Sequence, residues 1–132
     1  MLLYEDLIYR IRRSIFNVYN YLGNGHKEQV YQKALEKEFV LQKIQFTKEK
    51  TLNVTYKGDK VGLYRPDFII EEKIVVEIKA VAFVPREFEI QLLHYIKTTG
   101  YKLGFLVNFG ANKIFIKRLI WTKNYDQYGK SV

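Results

Sequence analysis

Between Ile74 and Asn108 the chain changes its periodicity from strand to helix and back, and this order constrains the fold more than any other feature. Ile74 to Val81 alternates as a strand, Pro85 precedes a helical segment ending near Thr99 with Gly100 placed as its C-terminal cap, and Leu103 to Asn108 reads as a second strand. A helix of about fourteen residues between two strands implies a right-handed crossover, which makes the second strand parallel to a neighbour. The spacing therefore predicts an α/β fold with a mixed β-sheet flanked by helices.

The flanking segments fill in the order. Leu3, Leu7, Ile8, Ile11, Ile15, Val18 and Leu22 form a helical stripe opposite Arg10, Arg12 and Arg13; Gly23-Asn24-Gly25 breaks it. Val30, Tyr31, Ala34, Leu35 and Phe39 then carry a second helix to about Leu41. From Phe46 the pattern alternates: Leu52, Val54 and Tyr56, a turn at Lys57-Gly58-Asp59, then Val61 to Ile70, which with Ile74 to Val81 reads as a three-stranded meander. Ile114 to Ile120 is the last strand, so the predicted order is αα-βββ-α-ββ. With 132 residues, 48% of them hydrophobic, the chain fits one domain over 1–132, its last residues, NYDQYGKSV, being expected to fray.

Composition narrows the function. No cysteine is present, which excludes disulfides and cysteine-ligated zinc or iron–sulfur sites. The N-terminus intersperses charges among its apolar residues, unlike a signal peptide, and no run approaches a membrane span, so a soluble cytoplasmic protein is expected. Lys and Arg number 22 against 14 Asp and Glu, a net charge of +8 that attracts polyanions, and the aromatic residues offer faces for base stacking. Nucleic acid is the partner this predicts; a basic surface that serves only solubility is the plainer alternative.

The stretch PDFIIEEKIVVEIKA, Pro66 to Ala80, sets acids into two apolar runs. Alternation puts Ile74, Val76, Ile78 and Ala80 on one face and Val75, Glu77, Lys79 and Val81 on the other, which makes Glu77 and Lys79 neighbours. If Glu71-Glu72-Lys73 is a three-residue turn, Ile70 faces Ile74 and the ladder runs outward until Asp67 faces Glu77. A two-residue turn shifts the register and sends the acids to opposite faces. Paired Cβ atoms lie about 4.5–5.5 Å apart, a separation at which like charges destabilise a sheet. Lys79 alone can compensate them, as in an ordinary solvated strand-end cluster. So can a hard divalent cation, Mg²⁺ or Mn²⁺, which takes one or two carboxylates, keeps several waters and bridges to phosphate.

Pro66-Asp67 followed after nine residues by Glu77-Ile78-Lys79 resembles the PD-(D/E)xK signature of the restriction-endonuclease-like nucleases. Gly25-His26-Lys27-Glu28-Gln29-Val30-Tyr31 is similar to the GxxExxY pattern that names a small family within that superfamily. Ala34-Leu35, YRPDFIIEEKIVVEIKA, EIQLLHYIKTTG and GFLVNFG match in order, so that the resemblance spans about residues 10 to 121.

The resemblance implies a restriction-endonuclease-like fold and hydrolysis of nucleic acid with Mg²⁺ or Mn²⁺, DNA being favoured over RNA. It places the metal on Asp67 and Glu77, completes the shell with the Ile78 carbonyl, and gives Lys79 the orientation or activation of the attacking water. Glu28 matches a helix glutamate directed at the metal, and Glu28, Tyr31 and Leu35 do share one helical face. An exposed glutamate favoured by the helix dipole is the other reading. Gln91 and Tyr95 form a ridge with Phe88 and Leu92 that resembles the third motif of the RecB-like branch, implying that Gln91 belongs to the catalytic set and Tyr95 to substrate binding or to the core. Phe88 stands where the family segment has histidine.

Arg65 reads equally as a phosphate contact and as a neutraliser of the acids. His26 and His94 lack metal-ligand spacing and read as surface or cap residues, and Trp121 as packing. Arg10, Arg12, Arg13 and Lys97 are candidate contacts to a nucleic-acid backbone. Two functions compete with the nuclease: a nucleic-acid-binding module that kept the fold but does not cut, and a protein-interaction domain. The filled acidic and lysine positions argue against the first. Monomer and homodimer both remain open, a dimer placing two cuts on a duplex.

Overall fold

The computed structural model describes residues 4–122, so the place of Leu3 in the first stripe and the expected fraying of 124–132 fall outside the described residues. Helix α1 (Glu5–Leu22) buries Leu7, Ile8, Ile11, Ile15 and Val18, the stripe that its sequence predicts. Helix α2 (Glu28–Leu41) buries Tyr31, Leu35 and Phe39 and begins before Val30; its first turn carries no buried residue, so the apolar period does not mark it.

Five strands form one sheet in the order β1-β4-β5-β6-β7: β1 (Phe46–Lys48), β4 (Phe68–Ile70), β5 (Ile74–Lys79), β6 (Leu103–Asn108) and β7 (Phe115–Ile120). Within it, β5 and β6 pair in parallel from Ile74–Leu103 to Lys79–Asn108, and the other ladders are antiparallel. Helix α3 (Arg86–Thr99) makes the connection between the parallel strands, as the strand–helix–strand order requires. Gly100 ends it in the left-handed region, φ 88°, where a side chain would be strained.

The sheet has two covered faces. Ile74, Val76, Ile78, Leu103, Phe105 and Val107 pack against α1 and α2 in the larger core. Val75, Leu106 and Leu119 face the other way, onto Leu92, Leu93 and Ile96 of α3. Strand β5 is thus buried on both sides, the pattern of an interior strand.

The expected three-stranded meander does not form. Val61 to Ile70 is divided: β3 (Asp59–Tyr64) pairs with β2 (Leu52–Tyr56) in a separate two-stranded sheet, while β4 joins β1 and β5. Pro66 supplies the physical reason, since it lacks the N–H a continuous ladder needs. Strand β1, with three residues, is too short for alternation to reveal it. The hairpin register is the one that makes Asp67 and Glu77 opposite: Phe68 pairs with Val76, Ile69 with Val75 and Ile70 with Ile74. Glu71 and Glu72 take positive φ, 48° and 58°, and the Lys73 amide donates to the Ile70 carbonyl at 2.9 Å.

Candidate active site

The site begins where β4 leaves the ladder. Asp67 lies one residue before the last paired position, so the Ile78 amide, beyond the end of the β4–β5 ladder, has no partner in β4. The Asp67 carboxylate takes its place: the Ile78 N–H donates to Asp67 Oδ2 at 2.7 Å. In return the Asp67 N–H donates to Glu77 Oε1 at 3.0 Å. Each acid thus satisfies a backbone group of the opposite strand, and the two carboxylates are held together by the sheet itself. Gln32, on α2, donates from Nε2 to Asp67 Oδ1 at 2.6 Å and fixes the carboxylate from the helix side.

Burial dominates the electrostatics. Glu77 is pushed up to about 7, first by desolvation and then by the charge of Asp67, with the Asp67 amide and Lys79 pulling the other way. Asp67 is also raised, by burial, despite the hydrogen bonds from Ile78 and Gln32 and the charge of Lys79. Glu28, half-buried at the start of α2, is raised by burial and then by Asp67, and is favoured in its charged form by Lys79. Helix α2 therefore brings Glu28 within electrostatic reach of both Asp67 and Lys79.

Tyr31 explains how the start of α2 is held. Tyr31 is fully buried, donates from its hydroxyl to the Gly23 carbonyl at 2.5 Å and accepts from the His26 amide at 3.2 Å. Its ring stacks on Phe109, just after β6, with centroids 4.5 Å apart. One side chain thereby ties the loop before Glu28 to the end of the parallel strand pair. Beyond Lys79 the backbone is also clamped: the Phe109 N–H donates to the Lys79 carbonyl, and the buried Asn108 amide bonds both the N–H and the carbonyl of Val81 at 2.9 Å. Gly110 lies so close to Ala80 and Val81 that a Cβ there would collide with their backbone.

On the α3 side a small cavity of about 20 Å³ is lined by Tyr64, Glu77, Lys79, Phe88, Gln91, Leu92, Tyr95 and Leu106. Gln91 and Tyr95 therefore border Glu77 and Lys79. The Lys79 ammonium lies 4.9 Å from the centroid of Phe88, whose ring occupies the position where the family resemblance led us to expect histidine. Tyr95 stacks on Tyr64 at 4.0 Å with rings nearly parallel. The Tyr64 hydroxyl is buried close to Glu77 and raised by burial and by that acid, but it has no hydrogen-bond partner of good geometry among the described residues. Asp67 opens instead toward α2, onto a separate cavity of about 80 Å³ that it lines with Gln32, Lys33 and Glu49.

Arg65 stands apart from this cluster. Its Nε donates to the Glu49 carbonyl at 3.1 Å and its guanidinium pairs with the Glu49 carboxylate at 3.5 Å, both exposed. His94 is exposed on α3, and His26 contributes its backbone amide to Tyr31. Sequence reasoning missed Gln32, Tyr64 and Asn108. Gln32 was within reach of it, lying one helical turn after Glu28 on the same face; the other two are defined by contacts that leave no sequence pattern.

The fold and this cluster define a restriction-endonuclease-like domain with an Asp–Glu–Lys constellation at a sheet end. The family model of the PD-(D/E)XK nuclease superfamily matches residues 5–119, and the chain belongs to that superfamily. No curated protein matches the chain. Among solved structures, one titled "Crystal structure of SSO0001" is similar at 21% identity with a TM-score of 0.51, covering 68% of this chain and 48% of that one. The chain thus spans about half the length of that structure, and the likeness is one of fold.

Among the described residues no three His, Cys, Asp or Glu side chains are gathered tightly enough to form a metal site as they stand. The donors that do converge are all oxygens: Asp67 and Glu77, with Glu28 in electrostatic range. Burial is the main cause of their raised proton affinities; the charge of Asp67 adds to the shift of Glu77, and Lys79 opposes both shifts without cancelling them. This donor set suits a hard cation of the Mg²⁺ or Mn²⁺ type, which needs only one or two carboxylates and otherwise keeps water.

Proposed function

We propose that this protein is a divalent-metal-dependent nuclease that hydrolyses phosphodiester bonds, with Mg²⁺ or Mn²⁺ as cofactor and DNA favoured over RNA. The Gly25–Tyr31 pattern supports placing it in the GxxExxY family of its superfamily. The observation that carries the reading is the reciprocal pairing of Asp67 and Glu77, two half-buried acids with raised proton affinity beside a single lysine, in a chain of net charge +8. Negative charge concentrated there, against the sign of the whole protein, fits a cation site that faces a polyanion.

When bound, a divalent ion supplies charge neutralisation at the phosphate and a water of lowered pKa. Asp67 and Glu77, with the Ile78 carbonyl and Glu28, are the residues that would hold it. Gln32 and the Ile78 amide lock the Asp67 carboxylate, and the Asp67 amide locks Glu77, so little reorganisation is needed when charge develops. Lys79 rests on Phe88 and reaches the Glu77 cavity, where it can donate to the attacking water or to a phosphate oxygen. A single such preorganised donor is worth about 3–4 kcal/mol in rate. Gln91 and Tyr95 border the same cavity and are assigned to positioning Lys79 or the substrate. Arg65 contacts phosphate in this account by leaving Glu49, an exposed pair worth at most about 1 kcal/mol.

The test is hydrolysis of linear duplex DNA, single-stranded DNA and RNA with Mg²⁺ or Mn²⁺ by the wild type, Asp67→Ala and Lys79→Ala. Cleavage by the wild type and its loss in both variants is expected; equal cleavage by all three would place the reaction elsewhere.

A further inference from the structure

The acids and Lys79 lie in small cavities, and the larger grooves of the molecule do not contain them. One groove, of about 550 Å³, follows β1 and the Glu71–Glu72 turn, away from the site. Another, of about 610 Å³, runs between β2 and α3 and is lined by Val54, Phe88, Ile90, Gln91, His94 and Tyr95 among others. We propose that this second groove binds an unpaired nucleobase of a single-stranded nucleic acid whose backbone passes Lys79, which makes the groove a selector for single strands.

Continuity with the site is the first reason. Phe88, Gln91 and Tyr95 line both the groove and the cavity that holds Glu77 and Lys79. Phe88 is the shared wall, with its ring 4.9 Å from the Lys79 ammonium. A phosphate held at Lys79 therefore has its nearest nucleoside at the mouth of this groove.

The second reason is chemical. No lysine or arginine lines the groove, and its one charged lining residue is acidic, Glu87, so it does not suit a phosphate. Its walls are aromatic and aliphatic, with Gln91, His94 and Thr98 at the rim able to meet base edges. Ring faces of this kind accept any base, since stacking needs only a π-surface. Tyr95 is already held by its stack on Tyr64, so its ring needs no ordering when a base arrives. The volume falls within the range of about 300–1,000 Å³ usual for small-molecule pockets. A paired base has its edges engaged and its faces stacked in the helix, so entry requires a single strand or local opening of a duplex.

The proposal rests on the nuclease reading only for the placement of phosphate at Lys79, and binding in EDTA tests it without cleavage. Fluorescence anisotropy compares a short labelled single strand, its duplex, and the same strand with abasic nucleotides, on the wild type, Ile90→Asp and the uncharged Ile90→Ser. Ile90 is 38% exposed, so both variants are expected to fold. The single strand should bind about tenfold more tightly than the abasic strand or the duplex, with losses of about tenfold for Ile90→Asp and about threefold for Ile90→Ser. Equal affinity for native and abasic strands, or wild-type affinity in both variants, overturns the proposal.

The two failures are distinguishable. Base-dependent binding that both Ile90 variants weaken, with no Mn²⁺-supported cleavage by the wild type, leaves the groove standing and removes the nuclease. Cleavage that Asp67→Ala abolishes, on strands bound without regard to bases or to Ile90, removes the groove alone.

Discussion

Asp67 and Glu77 hold each other through the backbone: the Asp67 amide donates to the Glu77 carboxylate at 3.0 Å, while the Asp67 carboxylate accepts from Ile78, the residue next to Glu77, at 2.7 Å. Two acids that repel are thus kept adjacent by two charge-assisted hydrogen bonds, each worth roughly 1.5–3 kcal/mol. The break at Pro66, between β3 and β4, creates the arrangement, because a continuous ladder would have used the same amides for pairing.

Burial, and after it the repulsion from Asp67, makes Glu77 a cost to the fold at neutral and alkaline pH. Glu77 is raised from 4.5 to about 7, so the folded chain holds this proton more tightly than the unfolded one. The associated stabilisation is complete below 4.5 and is lost as pH rises through about 7. Glu77→Gln keeps the acceptor for the Asp67 amide without the charge. Thermal denaturation should find the variant more stable than the wild type at alkaline pH, by up to about 3 kcal/mol, and the advantage should vanish in acid.

Tyr31 sets the N-terminal end of α2 by its two hydrogen bonds to the Gly23–His26 loop. Tyr31→Phe keeps the stack on Phe109 and removes only the hydroxyl. Denaturant unfolding should show a loss of about 1–2 kcal/mol. The account also expects weaker activity, because the loop that leads into Glu28 would be held less firmly.

The legible part of this structure is the part that local pattern controls. The stripe from Leu7 to Val18 and the order around α3 follow from apolar spacing and from Gly100. The register that opposes Asp67 to Glu77 was conditional on a turn whose length the sequence does not signal. Glu71 and Glu72 occupy left-handed backbone without the Asn or Gly that usually marks it. Strand β1, the detachment of β2 and β3, and the contacts of Gln32 and Tyr64 arise from tertiary pairing, which has no local period.

Asn108 is a positioning residue in this account, since it pins Val81 and with it the chain just past Lys79. Asn108→Ala leaves partly buried backbone groups of Val81 without their side-chain partner and should cost about 1–3 kcal/mol in unfolding experiments. Asn108→Asp keeps the acceptor for the Val81 and Gly110 amides but sets its other oxygen against the Val81 carbonyl, so it should be milder than Asn108→Ala only where the carboxyl is protonated. A rate deficit in Asn108→Asp, measured where the protein is fully folded, would separate placement of Lys79 from stability.

The central claim is that Asp67 and Glu77 act as one divalent-cation site. Isothermal titration of Mn²⁺ into the wild type, Asp67→Ala and Glu77→Ala, each shown to be folded, tests it most directly. The account predicts a single site in the wild type that is lost in either variant and weakened in Glu28→Gln. Undiminished Mn²⁺ binding after removal of Asp67 or Glu77, or no binding by the wild type, would contradict it.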